Sequence, residues 1–495
     1  MIKRYFATKD NTITNAFEEN LKTRATGSNM GAADTLEVFS IYGQASSGSS
    51  EASRILLQFN TSQILSDRQA NNIPASGSVS FYLNLADAVH SQTTPRDFVV
   101  DIYAVSSSWD EGYGIDMDNY QDLTRDNKGS NWMRKSGSHS WTSVGGDYHA
   151  TPLYQQTFTS GFENLKLDVT NIVEDWLNSR KTNYGFGIQM NSSYESYFSS
   201  SSGINSGSVI HNTAGSTRSF YRKKFFARES EFFFKRPFLE ARYDSTIRDN
   251  RGNFYLSSSL ATGQDNLNTL YMYNYVRGRL RNIPSVGTGL LHVSIHTSST
   301  GGSNTRVKLH TGEFRVTGGY VSTGIYSASV AVTGTHSALY DVWSSGSYVY
   351  HTGSISTNTL SAKTLTKTNP YVLSMPDLKE EYHRGQKPKL RLYAREKNWS
   401  PNIYTLASRS SVNSLLFNSA SYQVRRSIDD YVVIEYGTGS LKQTGLSYDI
   451  SGNYFYLDTN TFEAGYKYDI YYSIFDEDSD TYIEQPYKFR FRVVD

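Results

Sequence analysis

The chain has 495 residues, with 48 Lys and Arg against 47 Asp and Glu, and a formal charge of +1. That balance argues against a general nucleic-acid binder, which shows a basic excess. Cysteine is absent, which excludes disulfides and thiolate metal sites, and a composition that is 14% aromatic and 19% charged favours strands and turns over helices.

The opening residues Met1 to Asp10 lack the apolar core of a signal peptide. No window approaches the ~20 apolar residues of a membrane span. A protein made in a host cytosol and released by lysis needs neither feature, and the absence of cysteine suits a reducing cytosol. A short helix is expected near Thr14 to Thr23. Ser78 to Leu85 and Phe98 to Val105 read as strands, bounded by Gly, Ser, Asn and Asp clusters as a sandwich requires. Leu167 to Leu177 is the clearest helix, with Val169, Ile172, Val173, Trp176 and Leu177 at helical spacing and Asp168 or Thr170 as its cap.

Arg236 to Asp244 reads as a closing strand. A series of short strands with Gly, Ser and Thr turns then runs to Leu373, and Met375-Pro376-Asp377 with a charged run to Arg384 reads as a linker. The last unit opens with the strand Lys389 to Arg395. It ends with Tyr466 to Phe475 and Tyr487 to Val494, which the acidic loop Asp476 to Asp480 joins as a hairpin. The expected architecture is all-β: tandem sandwiches over 1–245, 246–376 and 377–495, the first jelly-roll-like, the others smaller and Ig-like, with very little helix. No period of 20 to 50 residues repeats, which argues against a solenoid.

The most unusual segment is Arg218 to Arg236, where Arg222, Lys223 and Lys224 interleave with Phe225 and Phe226, followed by Phe232, Phe233 and Phe234. Such a pattern can stack on bases and neutralise phosphates, or meet an acidic lipopolysaccharide. Side chains alternate along a strand, so three consecutive Phe cannot face one core. These eight residues are taken as a subunit interface, burying aromatics against a neighbouring chain.

Catalytic signatures are missing: no GxxxxGK[ST], GxSxG or HExxH occurs. Asp110, Glu111, Asp116, Asp118 and Asp122 cluster, and three readings stay open for them: a solvated acidic loop, which is favoured, a cation site, or a glycosidase pair. Asp116, Asp118 and Asp122 begin like an EF-hand loop, but the glycine at position six and the glutamate at position twelve are missing. His292 and His296 share a strand face ~13 Å apart at ~3.3 Å per residue, too far for one ion within a chain. A trimer axis gathering one of them from each subunit is the remaining metal reading, set against surface histidines.

Five stretches carry a family resemblance. They are Arg54-Ile55-Leu56-Leu57-Gln58-Phe59-Asn60; Val100 to Val105 followed by Trp109-Asp110-Glu111; Leu167-Asp168-Val169-Thr170 with Trp176; Asn183-Tyr184-Gly185-Phe186-Gly187-Ile188; and Leu239 to Tyr243. In order and spacing they resemble the DNRLRE domain, a β-sandwich related to carbohydrate-binding modules. The resemblance implies a jelly-roll-like fold for the first ~245 residues, with Trp109 and Trp176 plugging its ends. The stretch Gly112 to Thr151 departs from that pattern as a long insert, a length at which loops are usually functional. Its Tyr113, Tyr120, Trp132 and Trp141 are the candidate glycan-stacking residues.

The opening Arg4 to Phe17 and the Tyr/Ser/Thr-rich β-domains behind it are similar to virion structural proteins of T4-like marine cyanophages. That resemblance implies a non-enzymatic tail, neck, baseplate or capsid-decorating component. It would be made in the host cytoplasm, need no cofactor and no membrane, and bind other virion proteins as a homo-oligomer. Two alternatives remain: an adhesion module for host-surface glycan, and a glycan depolymerase.

Overall fold

The computed structural model describes residues 1–44, 50–89, 95–115, 129–199, 208–257, 262–359, 371–399, 402–404, 414–437, 442–477 and 479–495. Strands make up 45% and helices 8%, so the protein is all-β. No helix among the described residues is long and apolar enough to cross a membrane. The chain forms two compact units, Ile2–Tyr243 and Asp244–Asp495, the latter including Met1.

In the first unit the strands are β1 (Ile2–Thr14), β2 (Thr35–Gln44), β3 (Glu51–Phe59), β4 (Ser80–Leu85), β5 (Phe98–Ala104), β6 (Arg134–Ser136), β7 (His139–Ser140), β8 (Tyr154–Phe158), β9 (Leu165–Asp168), β10 (Phe186–Met190), β11 (Arg218–Phe226) and β12 (Phe238–Arg242). Strand β1 belongs to two sheets. Its first half pairs with β12, which continues to β4 and β9. After a register shift between Ala7 and Lys9, its second half pairs with β3, which continues to β10, β5 and β8. Strand β2 joins β3 and carries β11. Alternation sets the core: Phe81, Leu83 and Leu85 of β4 are buried, as are Phe98, Val100, Ile102 and Ala104 of β5.

Helix α1 (Thr61–Gln69) is capped by Asn60, whose side chain accepts from the Ser62 amide. Helix α2 (Thr170–Leu177) buries Ile172, Val173, Trp176 and Leu177. It starts at Thr170, in the span where Asp168 or Thr170 is expected to cap it, and Leu165–Asp168 before it is a strand beside β4. Asp168 Oδ1 accepts from the Thr170 amide at 2.9 Å. The helix expected near Thr14 to Thr23 does not form. Thr14 completes β1, and Asn20 Oδ1 accepts from the amides of Lys22 and Thr23 at 2.7 and 2.8 Å, a side-chain turn that competes with helix.

The second unit holds an antiparallel six-stranded sheet in the spatial order Asn268–Tyr273, Ile325–Val330, Val316–Ser322, Leu291–His296, Leu339–Ser345, Tyr348–Ile355. Its core gathers Phe254, Leu270, Leu291, Val293, Tyr326 and Trp343. A four-stranded sheet runs Tyr371–Ser374, Lys389–Glu396, Gly452–Tyr456, Ser447–Asp449. Another runs Glu381–His383, Phe489–Val494, Lys467–Asp476, Ala420–Arg426, Val432–Ile434. The hairpin after Asp476 leads into Thr481–Glu484 rather than directly into the last strand. Both segments then pair with Lys467–Asp476.

Candidate functional site

The basic-aromatic segment divides between core and surface. Strand β11 alternates, so Phe225 is buried, with its ring 6.2 Å from Phe158. Lys223 is also buried and pairs with Asp87. Arg222 and Lys224 flank Glu37, at 2.9 and 2.6 Å. The expectation that Lys223 and Phe225 face a partner is therefore corrected: both face this chain's own interior. The three consecutive Phe do not alternate along a strand either, because Phe233–Lys235 is a 3-10 turn. Its tighter winding lets Phe234 turn inward, so Phe234 also leaves the interface set.

What remains outward is two groups of aromatic contacts. Phe232 is 54% exposed. Its ring lies 5.5 Å from that of half-buried Phe226, edge-on. Phe233 lies 5.1 Å from Phe6, which lies 6.1 Å from Phe238, and the Arg4 guanidinium sits 4.6 Å from the Phe238 ring. Phe6 and Phe238 are cross-strand partners on β1 and β12. The sequence reading missed both, since each sits in an ordinary strand pattern. Only the pairing of the opening strand with the closing one unites them with Phe233.

The described part of the insert roofs the outer face of the sheet, opposite the sandwich core. Trp132 and Trp141 are buried among Ile13, Leu56, Val105 and Trp109, and their indole nitrogens donate to the Ser208 and Asn131 carbonyls, each at 2.8 Å. Neither ring can stack on a glycan, which corrects that assignment. They anchor the insert instead. Tyr113 is 57% exposed, while Tyr120 lies outside the described residues. Trp109 and Trp176 both meet the start of β10: the Trp109 indole donates to the Tyr184 carbonyl at 2.9 Å, and the Trp176 ring is 4.9 Å from that of Phe186.

Between roof and sheet opens a polar groove of about 570 Å³, within the ~300–1,000 Å³ usual for small-molecule sites. Its floor is Arg54 of β3, Gln189 of β10 and Tyr103 of β5, neighbours on adjacent strands. Lys135, Asp147 and His149 stand on its walls. The Arg54 guanidinium donates to the Gly145 carbonyl at 3.0 Å and lies 5.4 Å from the Tyr148 ring. Tyr148 rests on the strand only because residue 187 is glycine: a Cβ there would overlap its ring. Asp147 is saturated, accepting from Thr142, Ser143 and Ser107. Burial raises the Glu195 carboxyl above its ordinary range, opposed by nearby Arg54. Arg54 Nε, Gln189 Oε1 and Glu195 Oε1 are buried without a hydrogen-bond partner.

The carboxylate cluster of the sequence reading is only partly in view, since Asp116, Asp118 and Asp122 lie outside the described residues. Asp110 is exposed. Glu111 is held by Arg228 at 3.2 Å and accepts from the Asp10 amide at 2.9 Å. Asp10 itself accepts from the Arg228 amide at 2.6 Å, and burial pushes its carboxyl up to about 7. His296 is buried between the hydroxyls of Ser294 and Thr305, at 2.9 and 3.0 Å, while His292 is exposed. Burial keeps His296 away from a site shared between subunits. Among the described residues no three His, Asp or Glu side chains are grouped to hold a metal ion.

No family model matches the chain, and no curated protein does. Among solved structures it is similar to the Yersinia pseudotuberculosis adhesin InvE at 11% identity, with a TM-score of 0.15 over 48% of this chain and 56% of that one. It is similar to the BSP domain of a biofilm-associated protein at 11% identity, with a TM-score of 0.15 over 93% and 66%. A Salmonella alpha-2-macroglobulin matches at 8% identity, with a TM-score of 0.15 over 100% and 34%. The chain thus spans about half of the InvE structure. Likenesses at such TM-scores carry no argument about what the protein does.

Proposed function

We propose that the chain is a non-enzymatic structural component of a tailed-phage virion that binds neighbouring virion subunits, including copies of itself. The observation that supports subunit binding is a set of partly uncovered phenylalanines in two contacting groups, Phe226 with Phe232 and Phe233 with Phe6 and Phe238. Outward aromatics with an arginine beside them have the composition of an interface core. The virion setting rests on the resemblance of the opening segment and the Tyr/Ser/Thr-rich domains to cyanophage structural proteins. Purified particles of the encoding phage should contain the chain at stoichiometric abundance by mass spectrometry. Its absence from washed particles would refute the virion setting.

A second reading, recognition of a host-surface glycan, is favoured by the groove over β5, β10 and β3. It combines an aromatic ring, amide and hydroxyl groups, and cations in one concavity, the mixture that a polyhydroxylated ring with polar substituents requires. The two readings coexist in one particle, because the groove and the phenylalanine array share no residue.

A further inference from the structure

We infer that the groove over β5, β10 and β3 takes an acidic saccharide, with Lys135 as the carboxylate-binding group and Tyr103 as the ring-facing surface. This rests on the glycan reading above and narrows it to a charge class.

The groove holds unspent polar capacity. Asp147 is the carboxylate lining the groove, and both of its oxygens are filled, by Thr142 and Ser143 of its own loop and by Ser107 after β5. It shapes the wall and has no acceptor capacity to offer a ligand. The Arg54 charge is opposed by the nearby Glu195 carboxylate. Lys135 and His149 line the same concavity with no side-chain partner among the described residues. The groove's free charge is therefore cationic. At the floor, Gln189 lies beside Tyr103, and Gln189 Oε1 is buried without a hydrogen-bond partner. An unmet buried acceptor costs about 1–3 kcal/mol, and a donor reaching the floor offsets it. A sugar hydroxyl is such a donor, and a uronate supplies hydroxyl donors and a carboxylate in one rigid ring. A simple anion supplies no donor for Gln189 and no face for Tyr103, whose half-buried ring is braced 5.8 Å from Tyr148.

Calorimetric titration of the full chain tests this with a galacturonate hexamer, its carboxyl-reduced galactose counterpart and inorganic phosphate. The expected result is saturable binding of the uronate hexamer, weakened about tenfold by carboxyl reduction and by Lys135→Gln, as loss of one charge-assisted contact implies. Tyr103→Leu should weaken both hexamers, with the melting temperature of each variant as the folding control. Equal binding of the two hexamers, or no change in Lys135→Gln, overturns the acidic specificity and leaves the glycan reading standing. Phosphate displacing the hexamer at equal concentration reduces the groove to a simple anion site and overturns the inference. Binding of neither hexamer overturns the glycan reading itself.

Discussion

Lys223 Nζ lies 2.5 Å from Asp87 Oδ1, in a position where the lysine is 1% exposed. Its ammonium also contacts the rings of Phe158 and Phe225, 5.0 and 5.3 Å from their centroids, and donates to the Gly161 carbonyl at 2.7 Å. Burial lowers the lysine from its ordinary value, and Asp87 acts against that shift. A residue that looks in sequence like part of a basic surface thus ties β11 to the segment after β4.

A buried charge deprived of its partner is more costly than the pair was favourable. Asp87→Ala should therefore destabilise the first unit by about 3–5 kcal/mol. Lys223→Met, which removes the charge and keeps the stem's packing, should cost less. Urea unfolding of both variants checks this, and equal losses would contradict it.

Asp10 gives a pH dependence whose sign is fixed. Its carboxyl titrates near pH 7 when folded and near the ordinary 3.8 when unfolded. Between those values the folded state binds more protons, so stability falls as pH rises from about 4 to about 7. The contribution is on the order of a few kcal/mol. Asp10→Asn should flatten that part of the stability profile and stabilise the protein at pH 8. A profile unchanged by Asp10→Asn would contradict the assignment.

Gly187→Ala introduces a Cβ into the Tyr148 ring. The insert should lift, at a cost of about 1–3 kcal/mol typical of overpacking. Limited proteolysis should then cut within residues 129–151 faster than in the parent chain, whereas Gly302→Ala, in open space and without a positive φ, should leave that rate unchanged.

Phe232→Ser changes an exposed side chain and should alter stability by less than about 0.5 kcal/mol. It should nevertheless shift the protein toward smaller species in sedimentation velocity. A distribution identical to that of the parent chain would count against the array as a self-association surface.

The all-β class was legible because β4 and β5 alternate as half-buried strands do, and α2 because Ile172, Val173, Trp176 and Leu177 repeat at helical spacing. Helix α1 was not legible: among Thr61 to Gln69 only Ile64 and Leu65 are apolar, so no amphipathic stripe exists to read, although Asn60 with Ser62 was a capping signal. The site was harder. Phe225 and Phe226 look alike in sequence, and only the face that β11 turns inward separates them. Trp132 and Trp141 looked like exposed platforms because nothing local reveals that the insert folds back over β3. Arg54, Tyr103 and Gln189 come from three strands far apart in the chain, and their meeting depends on the sheet order β5-β10-β3.

The most direct test of the assembly claim is a residue-resolution reconstruction of the intact phage particle. The account predicts density for this chain with Phe226, Phe232 and Phe233 covered by a neighbouring protein subunit. A particle in which the chain is present and those three rings face solvent would contradict it.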